Sequence, residues 1–203
     1  MEIKTWHKYL FVGSIIAFIS YLNREKIKKQ FSNLVSYFAN KWVGVKEIGE
    51  NVAFANTQFQ QMMKESGWRS TEQWCMYFAK AIHLEALKNN PSEQAKVKKI
   101  LSGSSQLSFA SAKNDKTNTY TTTNIPIVGD IIIFQHLNSP SKGHAGIVTK
   151  VNGNKTVDTI EGNTSDKNIS NGDLVAKKNR TSIIGKSIGG DLVVKGFIRK
   201  LNV

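Results

Sequence analysis

The spacing of apolar residues divides the chain into a helical first half and a strand-rich second half. Apolar residues recur at the helical intervals of three and four along residues 25–42, 53–66 and 68–89, and Pro91 begins a further short helix. Later in the chain the pattern becomes that of strands, predicted at residues 130–135, 145–151, 156–160 and 192–199. Helices followed by an antiparallel sheet indicate an α+β domain with the helices packed on one side of the sheet.

Three connections between these elements add detail. Residues 102–124 are rich in Ser, Thr, Asn and Lys, which predicts a long surface loop of the kind that often lines a binding site. The turn at residues 152–154 predicts that the second and third strands form a hairpin. Ser70 or Thr71 is the expected N-cap of the helix at 68–89.

The first thirty residues differ from the rest of the chain. Residues 9–22 are uncharged and mostly apolar; in a helix they reach about 21 Å, short of the roughly 30 Å core of a bilayer. No small-residue cleavage site follows, so we interpret residues 1–30 as an uncleaved membrane anchor and residues 31–203 as the folded domain. The excess of Lys and Arg after the run favours a cytoplasmic C-terminal part, and an amphipathic or buried helix is the alternative.

Composition narrows the class of protein. Hydrophobic residues make up 40% of the chain, enough for a folded core. The net charge of +13 predicts attraction to a polyanion such as nucleic acid, acidic lipid or an anionic wall polymer, although it also serves solubility. The sequence has no helix-turn-helix, zinc or aromatic-basic motif, so nucleic acid is not an expected partner.

Cys75 is the only cysteine, so the chain has no intramolecular disulfide. It lies near the start of a predicted helix, where the partial positive charge of the helix N-terminus favours a thiolate. A small buried side chain is the alternative interpretation.

A nucleophilic thiol also needs a base and a group that orients the base. His144 begins a predicted strand in GHAGIV, where small neighbours such as Gly143 leave space for a substrate backbone. The hairpin brings Glu161 and Asn163 towards His144, and either is a candidate acceptor for the imidazole. His136 is the rival base, whereas His7 and His83 fit less well. A plain strand start and a plain turn are the structural alternatives.

Four motifs in this order resemble the CHAP domain, the cysteine, histidine-dependent amidohydrolase/peptidase. They are WCMYFAKAI around Cys75, PIVGDIIIF, GHAGIV at His144 and TIEGNTSD at Glu161. The resemblance covers roughly residues 42–203, and VGVKEIGEN at residues 43–51 looks like the corresponding stretch of phage-associated members. It suggests a relative of phage lysins.

The resemblance implies a papain-like fold of the NlpC-like superfamily and a site for cleaving peptidoglycan amides. Cys75 would be the nucleophile, His144 the base and Glu161 the group that orients it, with Asn163 at a further polar position. By analogy with papain, Gln73 is a candidate oxyanion donor, and Trp74 and Gly143 are expected near the substrate. No metal or other cofactor is expected, because no acidic cluster of EF-hand type precedes Cys75.

The predicted function is therefore a peptidoglycan hydrolase, either a muramoyl-alanine amidase or an endopeptidase. The alternatives are a cysteine transamidase or peptidase with another substrate, and a non-catalytic, basic, membrane-anchored wall-binding protein, for which Cys75 would be buried and unreactive. The expected location is the membrane with the catalytic domain facing the wall, or a phage. The oligomeric state is left open.

Overall fold

The protein, described by a computed structural model over residues 3–165 and 172–202 with side chains from residue 20 onward, combines helices with one large sheet. Its helices are α1 (Ile3–Lys41), α2 (Thr57–Glu65), α3 (Cys75–Ala86), α4 (Pro91–Ile100) and α5 (Ser105–Lys113). Its strands are β1 (Glu47–Ile48), β2 (Ala53–Phe54), β3 (Tyr120–Thr123), β4 (Ile131–His136), β5 (Gly143–Asn152), β6 (Thr156–Thr164), β7 (Leu174–Thr181), β8 (Ser187–Gly189) and β9 (Leu192–Lys200). The predicted α+β class is confirmed.

The large sheet is antiparallel throughout. Its strands lie in the order β3-β9-β4-β5-β6-β7, with β8 paired to β9, while β1 and β2 form a separate small hairpin. The predicted hairpin is confirmed, because β5 and β6 pair from Asn152 opposite Thr156 up to Ile147 opposite Ile160. The start of β5 lies beside β4, with His144 opposite Phe134.

Helix α3 lies at the centre of the core. Nine of its twelve residues are buried, including the fully buried Met76, Phe78 and Ile82. A helix that is apolar on nearly every side must be covered on every side, and α3 packs against α1, α2 and α4 as well as strands β5 and β6. The first residue of this covered helix is Cys75.

Helix α1 continues across the predicted boundary between residues 30 and 31. Its buried side chains are Phe31, Val35, Phe38 and Ala39, at the spacing predicted for residues 25–42. The expectation of a membrane span is not met: over the described residues, no helix combines the length and the apolar character that crossing a bilayer requires.

Two local predictions are wrong. Residues 102–124 contain α5 and β3 instead of one long loop, and several of the serines that suggested a loop have structural roles. Ser104 caps α5 by accepting from the backbone N–H of Leu107, and Ser108 is buried. Neither Ser70 nor Thr71 caps α3, because the helix begins later, with Trp74 at its N-cap.

Strand β7 was not predicted, since its sequence LVAKKNRT does not look apolar. Its buried positions include Lys178 and Arg180, so charged side chains occupy the places where the strand pattern requires apolar ones. The last residue of the TIEGNTSD motif, Asp166, lies outside the described residues.

Replacing Gly162 by Ala should destabilise the fold. A Cβ at Gly162 of β6 would lie 2.6 Å from Cζ3 of Trp74 and 2.8 Å from Cβ of Phe78, so β6 and α3 would have to separate. We expect a loss of about 1–3 kcal/mol in the free energy of unfolding, measured by thermal or urea denaturation.

The matched control is Gly153→Ala in the turn between β5 and β6, where an added Cβ meets nothing within 4 Å. That variant should be as stable as wild type or slightly more stable. Equal stability of the two variants would show that close packing of α3 on β6 is not required.

Candidate active site

Trp74, the buried residue that precedes Cys75, fixes the position of Cys75. Trp74 is fully buried, and its indole Nε1–H donates to Glu47 Oε2 at 2.5 Å. Its ring packs edge-on against Phe54 and Phe59. The N-terminus of α3 has no side-chain cap, and Cys75 is the first residue of the helix, where the backbone N–H groups carry partial positive charge. Cys75 itself is 6% exposed.

His144 lies next to Cys75 at the start of β5. Its ring is buried and stacks on Phe134, with the ring centroids 5.9 Å apart and an angle of 21° between the ring planes. Nε2 is 3.0 Å from Oε2 of Glu161. Because Nε2 faces Glu161 and the ring also interacts with the Cys75 thiol, Nδ1 is the ring nitrogen available to the thiol.

The surroundings of His144 favour its protonated form. Burial lowers its pKa, but the negative charges of the Cys75 thiolate and the Glu161 carboxylate raise it more, to about 9. His144 therefore holds a proton at neutral pH. An imidazolium beside a thiol is the arrangement that stabilises a nucleophilic thiolate.

Glu161 is fully buried and accepts four hydrogen bonds. Oε1 accepts from the Thr159 hydroxyl at 2.6 Å and from Arg180 Nε at 2.9 Å. Oε2 accepts from Arg180 Nη2 at 2.7 Å and from His144 Nε2 at 3.0 Å. Burial raises the pKa of Glu161, but the hydrogen bonds and charges of Arg180 and His144 outweigh it and hold this pKa well below its usual range. The carboxylate is therefore ionised.

Sequence reasoning missed Arg180. It lies in β7, opposite Val157 of β6, and its side chain is 3% exposed. The one available signal was that Arg180 lies an even number of residues after Leu174 and Ala176, on the same buried face. This signal is informative only once residues 174–181 are recognised as a strand.

Two further predicted residues, Asn163 and Gln73, lie close to Glu161 and Cys75 in the chain, and one is buried while the other is exposed. Asn163 follows Glu161 in β6; it is buried with φ 53°, and its Oδ1 has no hydrogen-bond partner within the described residues. Gln73 is exposed and immediately precedes Trp74 and Cys75.

Of the predicted residues, Cys75, His144 and Glu161 are therefore the ones that the structure brings into one interacting group.

One expectation about the substrate is wrong, and a second stays a prediction. Trp74 is buried in the core, so its ring does not face a substrate. At Gly143 a Cβ would lie 2.1 Å from the Phe134 carbonyl oxygen and 2.2 Å from Nε2 of Gln106. Protein atoms therefore fill the position that a side chain would take at Gly143, while the residue itself is partly exposed.

His136 and His83 have partners elsewhere, while the side chain of His7 lies outside the described part of the chain. His136, the rival base, lies with Nδ1 2.7 Å from Oδ1 of Asp191. His83 is buried with Nδ1 2.8 Å from the Tyr120 hydroxyl. Across residues 3–165 and 172–202, no group of three or more His, Cys, Asp or Glu side chains is arranged to hold a metal ion.

A buried thiol next to an imidazole, with a carboxylate behind the imidazole, is typical of cysteine hydrolases. A family model described as the CHAP domain matches residues 52–163, more than half of the chain, and the chain belongs to this family. CHAP domains are hydrolases of amidase or peptidase type that act on peptidoglycan. No curated protein and no solved structure shows a significant match to the chain.

Replacing His144 by Ala should slow alkylation of Cys75 by iodoacetamide at pH 7, on the order of 10-fold, because the variant lacks the imidazolium that stabilises the thiolate. The pKa of His144 is raised to about 9, so the imidazolium is present below that pH and is lost as the pH rises through it. Rates measured by mass spectrometry from about pH 5 to about pH 10 should therefore converge at the alkaline end.

His136→Ala is the matched control, since it removes a histidine that pairs with Asp191. It should alkylate like wild type at each pH. Equal rates for wild type and His144→Ala at neutral pH would contradict the interaction between His144 and Cys75.

Proposed function

We propose that the protein cleaves an amide bond of peptidoglycan with Cys75 as nucleophile and His144 as its acid and base. The observation that carries this proposal is the buried group in which the Cys75 thiol interacts with His144 and Nε2 of His144 lies 3.0 Å from Oε2 of Glu161. Family membership supports the class of bond and the substrate. A cysteine at the start of a central helix and a histidine at the start of a neighbouring strand also support a papain-like fold.

In the first step the Cys75 thiolate attacks the amide carbonyl carbon and forms a tetrahedral intermediate. The negative charge moves to the carbonyl oxygen, which needs preorganised donors. The backbone N–H of Cys75 is one candidate because no side chain caps this helix. The exposed amide of Gln73 is the second candidate, since it lies two residues before the nucleophile and is accessible to a substrate.

In the second step His144 gives its proton to the amide nitrogen, the C–N bond breaks and the amine leaves. The acyl group remains on Cys75 as a thioester. The neutral imidazole then takes a proton from water as the water attacks the thioester, which releases the carboxylic acid and restores the thiolate and imidazolium. Glu161 keeps Nε2 protonated throughout, so Nδ1 stays available for each transfer.

Cys75 is buried, as the non-catalytic alternative expects, but the charges around it favour an enzyme. A structural thiol requires neither a neighbouring imidazolium nor an ionised carboxylate behind it, and burying such groups costs stability unless they have a function. The amidase and endopeptidase alternatives both remain proposals. The segment at residues 102–124 is our candidate for choosing between them, because Gln106 lies against Gly143, next to His144.

Cys75→Ala and His144→Ala should each abolish digestion of purified peptidoglycan, with a loss of at least about 100-fold, because each removes a group that takes part in bond cleavage. The measurements are turbidity loss and mass spectrometry of the released fragments. New amino termini with free muramyl carboxyl groups indicate the amidase, and new peptide amino termini indicate the endopeptidase.

Thermal unfolding checks that each variant folds. Digestion that persists in a folded Cys75→Ala variant would exclude the thiol as nucleophile. If wild type alkylates rapidly but digests no wall preparation, the substrate is a different amide or ester.

For location, we propose that the protein works at the inner edge of the wall, with residues 9–22 lying in a membrane surface. The support is the apolar, uncharged composition of this run and the positive charge that follows it, which attracts acidic lipid.

The full chain should therefore float with phosphatidylglycerol vesicles on a density gradient, and Ile16→Asp should weaken this binding because it places a charge in the apolar run. The matched control is Ile127→Asp, which changes an exposed apolar residue of the folded domain. Equal flotation of both variants and wild type would exclude attachment through residues 9–22.

A further inference from the structure

We propose that Arg180 is a positioning residue of the active site, which holds Glu161 ionised and oriented so that Nε2 of His144 keeps its proton and Nδ1 is the nitrogen that takes up and returns the thiol proton. The inference rests on the proposed roles of Cys75 and His144. It adds Arg180 as a fourth residue to the group formed by Cys75, His144 and Glu161. Arg180 lies outside residues 52–163, the segment that the family model matches.

The geometry places Arg180 directly against the group that orients the base. Its Nε and Nη2 donate to the two different oxygens of Glu161, at 2.9 Å and 2.7 Å, and this paired contact fixes the plane of the carboxylate. Oε2 accepts from both Arg180 and His144. A change in the carboxylate plane therefore moves the acceptor that sets the orientation of the imidazole.

A shared aromatic ring adds a second connection. The guanidinium carbon of Arg180 lies 5.8 Å from the centre of the Phe134 ring, and the same ring stacks on His144 at 5.9 Å. Arg180 and His144 are thus held in relation to each other through Glu161 and through Phe134. This arrangement leaves Arg180 little freedom to take another partner.

The charges alternate along this buried group: thiolate, imidazolium, carboxylate and guanidinium. The charged groups facing Glu161 are His144 from β5 and Arg180 from β7, with Cys75 of α3 beyond His144. Its own strand contributes only the neutral Thr159 hydroxyl. Arg180 is therefore the one permanent positive charge among these groups, because His144 loses its charge in each catalytic cycle.

Loss of that permanent charge has a specific chemical consequence. A fully buried carboxylate without a permanent cation tends to take up a proton. Protonated Glu161 would donate to Nε2 of His144 instead of accepting from it, and the ring proton would then lie on Nδ1, facing Cys75. That tautomer cannot receive the thiol proton.

The chain offers a control in a second paired contact between an arginine and a carboxylate, in which the arginine side chain is partly exposed. Arg199 donates from Nε and Nη2 to the two oxygens of Asp130, at 3.0 Å and 2.8 Å, and Asp130 is buried. Both partners have interactions separate from Cys75, His144 and Glu161. Arg199→Met therefore removes an ion pair of the same hydrogen-bond geometry without touching the candidate active site.

The test measures iodoacetamide alkylation of Cys75, the only cysteine, against pH in the full chain. Arg180→Met should slow alkylation at pH 7 on the order of 10-fold and move the pH profile towards alkaline pH by about one unit, since one pKa unit corresponds to a tenfold change. Arg180→Lys should recover part of the rate because it keeps the charge but not the paired contact. Arg199→Met should have the wild-type profile even if its melting temperature falls.

A second arm remains informative if Arg180→Met does not fold. Glu161→Gln combined with Arg180→Met removes both charges together. Removing both partners of a buried ion pair destabilises a fold less than removing one partner. If Arg180 acts through Glu161, the double variant should alkylate within about twofold of Glu161→Gln alone.

Two results would overturn the proposal. One is a wild-type pH profile in folded Arg180→Met; the other is a double variant that alkylates an order of magnitude more slowly than Glu161→Gln, which would mean that Arg180 acts independently of Glu161. Because alkylation needs no wall substrate, these outcomes are separate from failure to digest peptidoglycan.

Discussion

The central constraint on this fold is the burial of α3. Because the helix is apolar on nearly all sides, α1, α2, α4 and the sheet must each cover one of its faces, and Gly162 lets β6 approach the first turn closely. The same packing brings the N-terminus of α3 to the start of β5. The position of Cys75 beside His144 is thus a result of core formation.

The site also places four ionisable groups where a core normally has none. Burial of separate charges is costly, but here each charge lies next to one of opposite sign and the carboxylate accepts four hydrogen bonds. Such a group is stable only in a narrow geometry, since any displacement leaves a charge unpaired. Burial therefore gives the imidazole a defined tautomer, at some cost in stability relative to an apolar core.

The sequence was sufficient for features that depend on local periodicity or on short motifs. The helical stripe at residues 25–42 and the hairpin after Val151 follow from spacing and composition. The choice of Cys75, His144 and Glu161 came from the resemblance to the CHAP motifs, since spacing alone left His136 and Asn163 as alternatives. It was insufficient where a polar residue is buried through a partner distant in sequence. Arg180 resembles a surface residue until Glu161 is placed beside it, and the serines around α5 resemble a loop until their hydrogen bonds are known.

Trp74 at the N-cap of α3 has a consequence for how this enzyme can be stabilised. Helices are commonly strengthened by Ser, Thr, Asp or Asn at this position, worth about 1 kcal/mol. Here such a residue would occupy the N–H groups beside Cys75, and Asp would also place a negative charge near the thiolate. It would also remove the indole that is tied to Glu47. The usual route to a more stable helix is therefore closed at this end, and adaptation to heat would have to come from other parts of the molecule.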